Sequence, residues 1–173
     1  SDASAVVVVA AKDVDRVKAT VAAAEKDFHL VYGETDPNAV FEVTPADLPK
    51  SVLSAEDTTS IVDVINLLHC GVFAMDRRLP RLPALSASLG TIETREDVLA
   101  FQYFPRSSSD ARLQALVRVM PIMAKSTGTK VHIEKPFPAW TESKNSKLQA
   151  LMADAYKEVM GKEPRMEAMH GGL

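Results

Sequence analysis

The chain has 173 residues, 46% of them hydrophobic and 25% charged, which is the composition of a globular protein with a real core. Its 20 basic and 23 acidic residues give a net charge of −3, so no broad electrostatic attraction to nucleic acid or anionic membranes is expected. The single cysteine, Cys70, excludes an internal disulfide framework and points to a reducing, cytoplasmic compartment.

The chain opens on "AVVVVAA" (Ala5 to Ala11), too short to span a bilayer and β-branched enough to predict a buried strand. "KDVDRVKATVAAAEKDF" follows, with Val14, Val17, Val21 and Phe28 at helical spacing. "GETDPN" is a turn cluster, and "AVFEVTP" (Ala39 to Pro45) alternates like a half-buried strand. Ser54 and Asp57 resemble a capping box, and Ile61, Ile65 and Leu68 place an apolar stripe on a second helix. A short extended piece at Val72 to Met75 precedes the loop "DRRLPRLP". "ALSASLGTIET" and "DVLAFQYFPRS" then read as two strands joined by the charged hairpin "ETRED". In the second, Val98, Ala100, Gln102 and Phe104 share one side, and Leu99, Phe101 and Tyr103 the other.

Ser107 and Asp110 start another helix, which buries Leu113, Leu116, Val117, Met120 and Met123. Pro121 should kink it or end its regular part early, and Gly128 should cap it. Thr129 to Trp140 is a strand with a proline-rich exit, where Trp140 anchors the loop on an apolar surface. Leu148, Leu151, Met152, Ala155 and Val159 form a last amphipathic helix, stopped by Gly161 and Pro164, before a short strand "RMEAM". Strand at the start and His-Gly-Gly at the finish give the ends the look of cuts.

The expected fold class is therefore α+β: a ferredoxin-like β-α-β-(α)-β-β-α-β unit with a mainly antiparallel sheet, plus a C-terminal helix and strand. A domain boundary is placed where prolines and polar residues cluster, giving domains 1–136 and 137–173.

Little chemistry is visible. His29, His69, His132 and His170 pair with no His or Cys at metal-ligand spacing, and His69-Cys70 reads better as packing than as part of a zinc site. No Gly-rich phosphate loop or Gly-x-Ser-x-Gly elbow is present. Arg106, at a strand end just before a helix start, is the candidate that stands out, because its planar guanidinium suits a carboxylate. The alternative is a surface pair with Asp110 or Asp76. Met120, Met123, Met152 and Met160 read as core filler.

The order of motifs resembles the aminoacylhistidine (Xaa-His) dipeptidases of the two-zinc dipeptidase and carboxypeptidase superfamily. "FPAWTESKNSKLQALMADAYKEVMGKEPRMEAMHGGL" matches a segment that carries Pro-x-Trp, Asn-Ser, Gly-Lys and then His-Ala-Gly-Leu-Glu-Cys-Gly. "LLHCGVFAM", "SASLGTI", "FPRSSSDAR" and "SAVVVVAAKDVDRVKATV" match further family segments in the same order.

The resemblance implies that residues 1 to 136 form most of an inserted lid or dimerisation domain, and that the remainder returns into a catalytic zinc domain. It implies two zinc ions in the parent enzyme, with the metal ligands and catalytic glutamate outside this chain. The chain itself then holds no catalytic residue, no metal and no cofactor, and is inactive alone. Arg106 matches the lid arginine that takes the substrate's C-terminal carboxylate, and Ser88 aligns with a lid asparagine but lacks its amide N–H. His170, Gly171 and Gly172 match the turn bordering the substrate pocket. Cys70 replaces a family histidine and Gly171 an alanine. The implied partners are a dipeptide and a second copy of the chain joined through the lid, with no nucleic acid and no membrane. The competing reading is a non-enzymatic ferredoxin-like module that dimerises or binds an amino acid.

Overall fold

The computed structural model describes residues 2–79, 81–96, 98–135 and 145–168. They fall into two compact units, Ser1–Ser54 and Ala55–Leu173. The expected boundary near residue 136 lies outside the described residues, as do Pro138, Trp140, His170, Gly171 and Gly172.

The first unit is built on one helix. A 3-10 turn at Ala11–Asp13 leads into α1 (Val14–Tyr32). Val17, Val21, Glu25 and Phe28 form its half-buried stripe, while Val14 lies outside it. Phe28 stacks against Tyr32 at 5.0 Å and Phe41 at 5.5 Å between ring centroids. The expected strand at residues 39–45 is not formed. Its backbone is tied to α1 instead: the Phe41 N–H donates to Glu25 Oε1 at 3.0 Å, and His29 Nε2 donates to the Ala39 carbonyl at 2.9 Å. A donor used in this way cannot enter a ladder. The expected strand at residues 5–11 is also absent. Val6 to Val9 are exposed, and the described residues of this unit offer no strand edge for them.

The second unit carries the sheet. It begins with α2 (Ala55–Leu67), whose buried side chains are Val64 and, just past its end, Leu68. Ile61 and Leu68 lie on the covered stripe as expected, but Val64 completes it in place of Ile65, which is exposed. β1 (Gly71–Met75), β2 (Pro83–Arg95) and β3 (Val98–Ser107) form an antiparallel sheet in the order β1-β2-β3. This bears out the α+β class and the hairpin read from "ETRED". Bulges interrupt the β1–β2 pairing after Val72 and the β2–β3 pairing between Leu89 and Thr91.

Proline-driven breakage of the next helix is also borne out. It divides into α3 (Asp110–Val117) and α4 (Val119–Ser126) around Arg118. The ring of Pro121 would meet the carbonyl of Val117, four residues earlier, which is where α3 stops. Restarting at Val119 puts Pro121 in a first turn, where its missing N–H removes no bond. α4 closes through Gly128 at φ 66°, with Thr129 N–H donating to the Ala124 carbonyl at 2.9 Å, a Schellman-type end. α3 packs on β3, and Leu113, Ala84, Ala87, Val64, Leu68 and Ala124 are the buried apolar side chains among the described residues.

The last helix, α5 (Lys147–Met160), ends at the predicted stop, Gly161 at φ 68°, and starts at a cap not read from the sequence, the Ser146 side chain accepting the Gln149 N–H at 3.2 Å. Its apolar stripe is not buried. Leu148 and Val159 are 68% and 80% exposed, and Leu151 and Met152 are close to the former. The strands expected at residues 129–135 and 165–168 do not form.

Candidate functional site

Register, more than any loop, sets what the sheet can present. Ser86 pairs with Arg106 and Ser88 with Phe104 across β2 and β3. Directly paired residues project to the same face of a sheet. Ser86, Ser88, Phe104 and Arg106 therefore share one face, with Gln102 and Thr91 next along it. On that face Gln102, Phe104 and Arg106 are exposed, whereas Tyr103, Pro105 and Ser107 on the other are half-covered. This is the alternation read from "FQYFPRS".

The end of β3 is fixed from behind. Ser107 Oγ donates to the Ala84 carbonyl at 2.8 Å and accepts the Ser109 N–H at 3.0 Å. Ser109 is the N-cap of α3 but makes no side-chain cap bond, so Ser107 does the anchoring at this helix start. One residue before this clamp stands Arg106. It enters no ion pair with a described residue. The alternative pairing with Asp76 is not formed: Asp76 pairs with Arg78 at 3.9 Å.

Asp76 has its own task. Its Oδ1 accepts the N–H groups of Arg78 at 2.7 Å and Leu79 at 3.1 Å, closing the loop after β1. These two backbone donors hold its carboxyl below the ordinary 3.8, helped by the nearby Arg78 and Arg112 charges. A carboxyl depressed in the folded state stabilises above its unfolded pKa and loses that contribution as pH falls through the folded value. The Arg78 and Leu79 amide resonances should therefore shift together in a titration below pH 3.8, and should be flat between pH 5 and 8.

His69 and Cys70 are both exposed, and the His69 ring meets that of Phe73 edge-on at 5.4 Å. Cys70 Sγ accepts the Leu89 N–H at 3.1 Å and donates to the Leu68 carbonyl at 3.3 Å. The Tyr103 hydroxyl donates to the His69 carbonyl at 2.7 Å. Burial, with a smaller contribution from Cys70, raises the Tyr103 phenol and keeps it protonated and donating. Among the described residues no three His, Cys, Asp or Glu side chains converge on a point that could hold a metal ion. The side chains described here do not fit a zinc centre.

The register sets Arg106 and Ser88, both singled out from the sequence, on one face together with Phe104, which was not singled out. The strand alternation already put Phe104 on the open face.

The described geometry defines an α+β unit presenting a polar sheet face with one uncommitted arginine. Comparison with known proteins gives this unit a setting. No protein-family profile matches the chain. It is 22% identical over 172 residues to the cytosol non-specific dipeptidase of Escherichia coli K12, across 99% of this chain and 36% of that protein. Its fold matches the crystal structure of aminoacylhistidine dipeptidase from Vibrio alginolyticus with a TM-score of 0.81 and 19% identity, over 95% of this chain and 34% of that one. The resemblance to the dipeptidases is borne out. The chain spans about a third of the length of these two relatives. No described helix is long and apolar enough to cross a membrane.

Proposed function

We propose that this chain is the lid portion of a cytosolic two-zinc dipeptidase of the Xaa-His type, and that its open sheet face receives the substrate's C-terminal carboxylate. The observation that carries this reading is Arg106: exposed, without a carboxylate partner among the described residues, and set on a strand end clamped by Ser107. A guanidinium held in this way can make a bidentate, charge-assisted pair that fixes which end of a peptide enters first. Ser88, beside it on β2, supplies a hydroxyl where the family has an asparagine, so one amide donor is missing from the site.

Residues 1–136 are assigned to the lid, with homodimerisation through it, and 137–173 to the return into the catalytic domain, where His170, Gly171 and Gly172 border the substrate pocket. The two zinc ions would be held by residues in the rest of the parent, where they would supply Lewis-acid chemistry. The chain's own residues bind and orient the peptide. The open stripe of α5 and the unpaired Val6 to Val9 run support a lid portion over a self-contained ferredoxin-like module, since in a module these segments would complete the core.

The chain by itself is expected to bind no zinc tightly and to hydrolyse no dipeptide, while the full-length protein does both. Zinc content and release of free amino acid are the readouts. Turnover by the chain alone contradicts the lid assignment.

A further inference from the structure

β3 leaves one large aromatic on its open face. Phe101 and Tyr103 point to the covered side, but Phe104 is 48% exposed beside Arg106. Its position is set by Gly90. A β-carbon placed there would lie 2.4 Å from Cε2 and 2.8 Å from Cδ2 of the Phe104 ring. The ring therefore rests on bare backbone at the bulge between Leu89 and Thr91. That contact covers one edge of the ring and leaves the rest open on the side of the sheet that carries the guanidinium.

The spacing fits a ligand. Two residues along an antiparallel strand span about 6.8 Å. An α-carboxylate held by Arg106 puts the Cα of its own residue one bond further out, and that residue's side chain then extends along the face. Toward Phe104 it meets an apolar ring; toward Ser86 and Ser88 it meets hydroxyls. Covering an exposed ring with apolar surface is favourable, whereas a polar side chain laid on the ring gains no hydrogen bond from it.

We propose that Phe104, seated on Gly90, is the specificity-determining wall for the C-terminal residue of the peptide, taking the imidazole of an Xaa-His peptide against its ring and favouring Leu, Met or Phe over Ser or Asn. This rests on the reading of Arg106 as the carboxylate-binding residue.

The test uses the full-length protein and compares kcat/KM for Ala-Leu with that for Ala-Ser, and Ala-Leu with its C-terminal amide. Phe104→Ala should lower the Leu-over-Ser ratio about tenfold, as expected for loss of one apolar contact in a pocket. Phe104→Leu should restore most of it. Gly90→Ala, which leaves Phe104 in the chain but displaces its ring, should lower the ratio in the same direction. Both Ala variants should still prefer the free acid to the amide. A Leu-over-Ser ratio unchanged in Phe104→Ala, with the preference for the free acid intact, overturns the wall and leaves the role of Arg106 standing. Loss of the free-acid preference in wild-type protein, or no hydrolysis of any dipeptide, overturns both.

Discussion

Replacing Arg106 by alanine in the full-length protein is expected to raise KM for dipeptides roughly 100-fold, with metal content unchanged. Hydrogen bonds to charged groups contribute about 1.5–3 kcal/mol each, and the bidentate pair is lost whole. Lysine at the same position should recover only part, because a single ammonium cannot reproduce the planar fork. The effect should fall mainly on KM, since the carboxylate is bound equally in ground and transition states, with a smaller fall in kcat from looser orientation. Steady-state kinetics with metal analysis on the same samples separates these terms. An unchanged KM removes Arg106 from the site.

The second large effect is on stability. Leu113 is the largest buried side chain where α3 meets β3, at 7% exposed. The buried apolar set of the second unit is small and includes three alanines, Ala84, Ala87 and Ala124. Few neighbours can move to fill the space left by a leucine. Leu113→Ala should therefore cost about 3 kcal/mol in urea unfolding of the chain, toward the middle of the range for such truncations. A loss below about 1 kcal/mol would mean that α3 is not held by this contact. The same helix begins four residues after Arg106, just past the Ser107 clamp. A loosened α3 should then also weaken carboxylate binding, though far less than Arg106→Ala.

Much of the sheet was legible because its signals are local. "ETRED" between two alternating runs gives the hairpin, and the period of two in "FQYFPRS" puts Gln102 and Phe104 opposite Phe101 and Tyr103. The break between α3 and α4 follows from one proline. What failed was of two kinds. On α2, Ile61 and Leu68 lie on the covered stripe as expected, but Val64 takes the place of Ile65, because the two are equally apolar and only packing chooses between them. The strands expected at residues 5–11, 39–45 and 129–135 were misread because a strand is defined by its partner. Sequence shows that Val6 to Val9 would suit a ladder; it does not show that the Phe41 N–H is taken by Glu25.

Likewise α5 has sound caps and a clean apolar stripe, yet nothing among the described residues covers it. At the site, Arg106 could be named from its place at a strand end. Ser88 could be named only through the resemblance, and Ser86 and Phe104 not at all, because the Ser86–Arg106 and Ser88–Phe104 pairings depend on a register that a single bulge at Gly90 would shift.

The account turns on whether Arg106 reads a free C-terminal carboxylate. The most direct measurement is the ratio of kcat/KM for Ala-Leu to that for its C-terminal amide, in wild-type full-length protein and in Arg106→Ala. A strong preference for the free acid in wild type that collapses toward unity in the variant is the predicted result. A variant that still prefers the free acid as strongly as wild type would contradict it.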